Sequence, residues 1–310
     1  MTFDPVSVSV IVPVYNSDGF LKECLDSILN QGFESFEVLV SDDASTDKTR
    51  DVLKNYEFIN NLKIFYQPIN LGITKNCNFL LEKASGKYVC FFAGDDIMLP
   101  EKIRKQFEFM ELNSKYSFSY HAAEIFNTES GKKICNTNEN PKKAIKNVNS
   151  LISKMGIPAS MSIMARKSIL PKNFFNNKFS YISDWLMQIE MAMSGDIGFI
   201  DEVLCKYRKY GENNGKDLSS YEHEFLSVLD FASNKYPELR AICAIGKSRY
   251  LVGKSFRINN NFQRKEILKL SIKLNFNFIN IALLLISYAP FSKYIFMFVY
   301  KYRYSLNAML

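Results

Sequence analysis

Apolar runs alternate with helical stretches along the first third of the chain. Val6 to Val14 is a β-branched run, interrupted by Pro13, and reads as a buried strand. Asp18 to Asn30 carries Phe20, Leu21, Cys24, Leu25, Ile28 and Leu29 at helical spacing. Phe36 to Ser41 predicts a second strand. Asp47 to Tyr56 predicts a helix, with Ser45 or Thr46 as candidate caps. Leu62 to Tyr66 reads as a strand, Gly72 to Ala84 as a helix, Lys87 to Phe92 as a strand and Leu99 to Leu112 as a helix. This alternation predicts an α/β domain with a parallel sheet and helices on both faces. Ser130 to Asn149 turns polar, rich in Lys and Asn, and reads as a mobile loop. Asp184 to Ser194 predicts a helix that begins at an acid, and the pattern beyond Leu218 is mostly helical.

The polar residues collect where strands stop. Tyr88 to Phe92 ends in Ala93-Gly94-Asp95-Asp96, the first strand ends in Tyr15-Asn16, and the second in Ser41-Asp42-Asp43-Ala44-Ser45-Thr46-Asp47. In open parallel sheets the carboxyl edge is where ligands bind. Adjacent hard carboxylates suit Mg²⁺ or Mn²⁺, ions usually held with help from substrate phosphates. A carboxylate at the second strand end can accept from a nucleoside. The competing reading is turn and cap chemistry. Gly-Asp-Asp is a good turn, and Asp42 or Asp43 could cap a helix.

Composition adds three limits. The 310 residues allow one large domain, or one domain and an appendage, and no charged start with an apolar middle marks a signal peptide. The six cysteines are scattered, with no C-x-x-C pair, which argues against a structural zinc site or a disulfide framework and for a cytoplasmic setting. The net charge of +7 is uneven. From Arg240 onward there are twelve basic residues against one acid, Glu266, a net of +11, which leaves −4 for the rest. Basic residues mixed with long apolar and aromatic stretches favour an anionic membrane surface over nucleic acid. Phe278 to Ala289 is nearly all apolar. Pro290 and Lys293 then interrupt, before Tyr294 to Tyr300. A span needs ~20 apolar residues. The pattern is therefore read as one or two interfacial helices on the inner face of the membrane, with a buried hairpin and a true span as the alternatives.

The ordered set Val8-Ser9-Val10-Ile11-Val12-Pro13-Val14-Tyr15-Asn16, Asp42 to Asp47, Asn70-Leu71-Gly72, Lys75-Asn76, Gly94-Asp95-Asp96 and Ser183-Asp184-Trp185 resembles the family-2 inverting glycosyltransferases of GT-A fold. The resemblance runs from about Val6 to Asn214. It implies a Rossmann-like nucleotide-binding sheet over 1–215, with a donor half to about 115 and an acceptor half beyond it. Residues 216–310 form a helical, basic extension.

The resemblance also implies roles. Pro13, Tyr15 and Asp43 form the nucleoside pocket of a UDP-sugar donor, and Asp43 accepts from the uracil imide. Asn16 and Asn76 belong to the donor-binding segments. Lys75 stands where the family often has Arg, near the diphosphate. Asp95 touches ribose or metal, Asp96 is the main ligand to Mn²⁺ or Mg²⁺, and Asp184 is the base. Ser183 replaces the Glu of the family's Glu-Asp pair. Tyr207-Arg208-Lys209-Tyr210 resembles the family's Tyr-Arg-x-His segment with Tyr210 for His, so Arg208 is either structural or approaches the diphosphate. A free Asp is ionised at neutral pH, and a single displacement needs only one base. The competing role for Asp184 is helix capping. The acceptor expected is a glycan or a lipid-linked hydroxyl of a surface polysaccharide. His121 and His223 read as structural.

Other classes fit less well. No G-x-G-x-x-G follows the first strand, and no P-loop motif occurs anywhere. A sugar nucleotidyltransferase lacks its Gly-rich basic loop here. A nucleotide-sugar-binding scaffold without turnover stays open, against the presence of Asp95, Asp96 and Asp184 together.

Overall fold

The computed structural model describes residues 6–138, 140–210 and 218–307. It divides into two units, one of Met1–Leu151 and Gly156–Asp217, the other of Ile152–Met155 and Leu218–Leu310. The expected domain boundary at 215–216 and the end of the resemblance at Asn214 lie outside the described residues.

The first unit is built on a mixed sheet. Its parallel half is β1 (Val8–Val14), β2 (Phe36–Asp42), β3 (Leu62–Tyr66) and β4 (Tyr88–Phe91), in the order β3-β2-β1-β4. The joining helices are α1 (Asp18–Leu29), α2 (Thr49–Lys54) and α3 (Ile73–Lys83). β1 and β2 are buried on both faces almost throughout, which is why they read as continuous apolar runs. β5 (Ile97–Met98) and α4 (Lys102–Leu112) follow. Beyond β4 the sheet continues through β6 (Tyr116–Asn127), β8 (Met164–Arg166) and β9 (Asp196–Lys209), in the order β4-β8-β6-β9-β5. β4–β8 and β8–β6 pair antiparallel, whereas β6 and β9 run parallel.

Three expectations are corrected. Residues 130–149 are not a structureless loop, because β7 (Lys133–Asn136) pairs antiparallel with β6 and Ile145 is buried. A four-residue strand, Lys-Ile-Cys-Asn, set among Lys and Asn, is too short for its alternation to show. Ser45 and Thr46 do not cap α2. Their polar atoms meet Asn16, and Asp47 Oδ1 accepts instead from the Thr49 amide at 2.9 Å. The helix expected from Leu99 begins only at Lys102. The Leu99 amide is bonded to the Leu204 carbonyl, and Glu101 sits at φ 70°.

α5 (Val148–Ser153) is followed by α6 (Ser183–Ala192), whose residues are buried apart from Asp184, which is half-buried. The second unit is helical. It contains α7 (Leu218–Lys235), α8 (Arg240–Arg257), α9 (Asn261–Leu274), α10 (Phe278–Ile286) and α11 (Ser292–Asn307). Phe225 stacks on Tyr250 at 4.5 Å, and Glu222 pairs with Lys254 and Arg257. No helix among the described residues is long and apolar enough to cross a membrane, since the chain breaks between α10 and α11 around Pro290.

Candidate functional site

The site is assembled at the carboxyl ends of β2, β1 and β4, three neighbours in the sheet. The β1–β4 ladder stops at Ile11, while the β1–β2 ladder runs on to Val14. Pro13 and Val14 therefore extend past β4, and the Gly94 turn crosses over them. A Cβ at Gly94 would stand 2.5 Å from Val14 Cγ1, so only glycine lets the Asp95–Asp96 turn lie this close to β1.

The two strand-end loops are tied to each other. Asn16, at φ 49°, accepts from the Thr46 amide at 2.9 Å, and its own amide donates to Ser45 Oγ at 2.9 Å. Ala44 follows Asp43 at φ 59°, a conformation an L-residue with a Cβ adopts only under constraint. Tyr15 is about half exposed above this turn.

Asp42 and Asp43 divide the work. Asp42 is fully buried and bonded to Arg50 Nε at 2.7 Å, which makes it a structural anchor. Asp43 accepts the Leu71 amide at 2.7 Å and the Gly72 amide at 2.9 Å, one on each oxygen. That bond pair holds the Asn70-Leu71-Gly72 turn against β2, and the turn opens α3. Lys75, on the first turns of α3, is exposed and makes no ion pair among the described residues. Asn76 is buried instead, donating to the Ser41 carbonyl at 3.0 Å, with its Oδ1 unpartnered.

α3 also locates Asp184. Thr74 Oγ1 lies 3.2 Å from Ser183 Oγ, so the start of α6 is tied to the start of α3. Burial pushes the Cys77 thiol up to about 12, and the charges of Asp184 and Asp43 act on it in the same direction. Asp184 does not cap its helix. Its Oδ2 accepts from Ser160 Oγ at 2.7 Å, and Ser160 accepts in turn from Gln188 Nε2 at 3.3 Å. Gln188 Oε1 is held by the Ile157 amide at 3.0 Å. The hydroxyl of Ser160 thus fixes one carboxylate oxygen and leaves Oδ1 without a hydrogen bond among the described residues.

Asp95 and Asp96 are held from β9. The Arg208 amide donates to Asp96 Oδ1 at 2.9 Å, and Tyr210 Oη donates to Asp95 Oδ2 at 2.8 Å. The Arg208 guanidinium is not directed at either carboxylate. It donates to the Asp95 carbonyl at 2.7 Å, pairs with Glu23 and lies between the rings of Phe20 and Phe126. These contacts are those of the structural role, one of the two open to it in the sequence. Burial first, then the adjacent Asp95 charge, pushes the Asp96 carboxyl up to about 8. No basic side chain pairs with the carboxylate oxygens of Asp95 or Asp96 among the described residues. Two neighbouring carboxylates without an ion-pair partner fit a hard divalent cation. No group of three or more His, Cys, Asp or Glu that could hold a metal ion occurs among the described residues.

Ser160, Gln188 and Tyr210 carry bonds to the site that motif spacing did not reveal. Both histidines lie outside it. His121 is fully buried, and burial holds its imidazole well below its ordinary range, hence neutral.

The chain is similar to several known proteins. The chain is 29% identical over 228 residues to an uncharacterized glycosyltransferase of Rickettsia felis, covering 73% of this chain and 37% of that protein. It thus spans little more than a third of the length of that relative. It is 29% identical over 240 residues to the Escherichia coli UDP-Glc:alpha-D-GlcNAc-diphosphoundecaprenol beta-1,3-glucosyltransferase WfgD, covering 76% of this chain and 84% of WfgD. The crystal structure of S. aureus TarS 1–349 in complex with UDP-GlcNAc superposes with a TM-score of 0.67 at 20% identity, covering 95% of this chain and 89% of that one. The fold is the GT-A fold expected from the motifs, with a helical C-terminal extension. The family model for glycosyl transferase family 2 matches residues 9–171, the stretch that contains all three strand ends and Ser160, and the chain belongs to that family.

Proposed function

We propose that the chain is a metal-dependent inverting glycosyltransferase. It moves a hexosyl or N-acetylhexosaminyl group from a UDP-sugar to a hydroxyl of a glycan or lipid-linked acceptor. The observation that carries this reading is that Asp43 and the Asp95–Asp96 turn lie at neighbouring strand ends, with the α6 start that bears Asp184 tied through Ser183 to Thr74 at the start of α3. The UDP-Glc in the WfgD name and the UDP-GlcNAc bound in the TarS structure support a UDP-sugar, and the diphosphoundecaprenol in the WfgD name supports a lipid-linked glycan acceptor.

In this reading Tyr15 and Pro13 flank the uracil, and Asp43 accepts its imide. Each carboxylate oxygen has a second lone pair beyond the one used by Leu71 or Gly72. Asn16 and Asn76 hold the surrounding turns in place. Lys75 supplies a cation to the diphosphate as a point charge. Asp96 and Asp95 would hold Mn²⁺ or Mg²⁺, which when bound stabilises the charge that builds on the leaving diphosphate. Asp184 Oδ1 takes the acceptor proton while the acceptor oxygen attacks the anomeric carbon. The bond to the diphosphate breaks on the opposite face, and configuration inverts. NMR of donor turnover tests the reading.

The Ser160 hydroxyl fixes the carboxylate oriented for that step. Ser160→Ala is expected to lower kcat about tenfold with donor KM within about twofold, and Ser160→Thr to restore most of the loss. Steady-state kinetics would check this, and a matching rise in donor KM would show that Ser160 serves binding instead.

A further inference from the structure

The second unit has an apolar core around Phe225, Leu229, Leu251 and Leu268, but on its α10 side the pattern is inverted. Ser248, Ser255, Ser271, Asn280, Ser287 and Ser292 are buried. Asn280 Nδ2 donates to Ser248 Oγ at 2.9 Å, and Ser248 Oγ donates to the Ser271 carbonyl at 2.8 Å. Arg264 is buried too, its guanidinium bonded to the Ser255 and Ile258 carbonyls and lying over the Phe296 ring. Along α10 and the turn after it, large apolar side chains take the outside. On α10, Phe278 is 86% exposed, Ile279 71% and Leu285 67%, whereas Asn280 is 4% exposed. Phe278, Ala282 and Leu285 are spaced i, i+4, i+7 and so share one helical stripe. Asn280 and the following Ser287, seven apart, share the opposite one. A helix bathed in water has the reverse pattern. Tyr288, Phe291 and Tyr294 carry the exposed apolar surface through the turn into α11.

We infer that the α10–α11 face docks on the surface of an anionic lipid bilayer as an interfacial element. Three observations select this occupant. The nine residues of α10 are about 14 Å long, roughly half the ~30 Å hydrocarbon core, so the face can enter a leaflet but cannot cross. Lys293 is exposed between Phe291 and Tyr294, and a lysine there keeps the turn at phosphate depth with the helices flat. The segment from Arg240 on carries +11, with Lys269 and Lys273 exposed on α9 and the Lys265 ammonium 3.9 Å from the Tyr288 ring centre. A second copy of the chain would bring like charge against like, whereas anionic headgroups neutralise it. The inference deepens the proposal of a lipid-linked acceptor, and it is tested without turnover so that the two can fail separately.

The experiment is co-sedimentation of the full chain with phosphatidylcholine vesicles, with and without phosphatidylglycerol. The expected result is binding that needs phosphatidylglycerol and weakens, without vanishing, as salt rises. Both Phe278 and Leu285 are exposed, so Phe278→Glu with Leu285→Glu should leave the circular dichroism unchanged while lowering vesicle affinity at least about tenfold. Lys269→Glu with Lys273→Glu should lower it severalfold at low salt only. A chain that stays in the supernatant at low salt with anionic vesicles overturns the inference. So does binding unaffected by the apolar double substitution. A dimer by light scattering that this substitution dissolves, in a chain that ignores vesicles, assigns the face to a second copy and equally overturns it.

Discussion

An Asp184→Asn enzyme is expected to lose a factor of about 10² to 10⁴ in kcat while binding donor nearly as well as the native chain. Asn keeps the shape of the side chain, and its carbonyl oxygen can still accept the Ser160 hydroxyl that fixes Asp184 Oδ2 at 2.7 Å. What it loses is the ability to take a proton. The start of α6 should stay where it is, because Thr74 and Ser183 tie it to α3 independently of the carboxylate. A folded Asp184→Asn enzyme that transfers sugar at near-native rate would move the base elsewhere.

Asp96→Asn is expected to abolish metal-dependent donor binding and, at the same time, to stabilise the metal-free protein at alkaline pH. Both effects have one cause. Asp96 is buried beside Asp95, and its carboxyl is pushed from the ordinary 3.8 up to about 8. The folded protein therefore holds a proton that the unfolded chain releases above pH 3.8, and stability falls as pH rises from there to about 8. The amide removes that loss. In the native chain the cation competes with the proton, so Mn²⁺ affinity should rise with pH up to about 8, level off above it, and release a proton on binding below it. Calorimetric titration with Mn²⁺ and UDP, beside thermal unfolding in chelator, checks both arms. Unchanged metal-dependent affinity in Asp96→Asn would remove Asp96 from the metal site.

How much was legible in the sequence follows from what makes each element. β1, β2 and β4 are buried on both faces, so their apolar runs announced them, and Leu62–Tyr66 was placed to the residue. β6 escaped notice because it buries Ser117, Ser119 and His121 among its apolar residues, breaking the pattern that marks a central strand. β9 was missed because it leaves exposed acids and lysines along a strand with register shifts against β6. The strand-end residues were legible because turn chemistry and ligand chemistry coincide there. Asp43 could be picked out, but its hold on Leu71 and Gly72 depends on a contact 28 residues away. Ser160 and Gln188 were illegible for the same reason. Ser160 lies in a short 3-10 turn with no periodic signal, and it reaches Asp184 only through tertiary packing. Arg208 shows the limit of motif reading, because only the geometry assigns its guanidinium to Glu23 and the Asp95 carbonyl.

The central claim is that these strand ends break the bond between a sugar and a nucleoside diphosphate by a single displacement. Time-resolved NMR of the full chain with UDP-glucose or UDP-N-acetylglucosamine and Mn²⁺ or Mg²⁺ tests it most directly, with water as acceptor when no other is supplied. The predicted result is metal-dependent release of UDP, with the first sugar product in the anomeric configuration opposite to that of the donor. Release with retained configuration, or a folded chain that neither binds nor consumes any nucleotide sugar in the presence of metal, would contradict it.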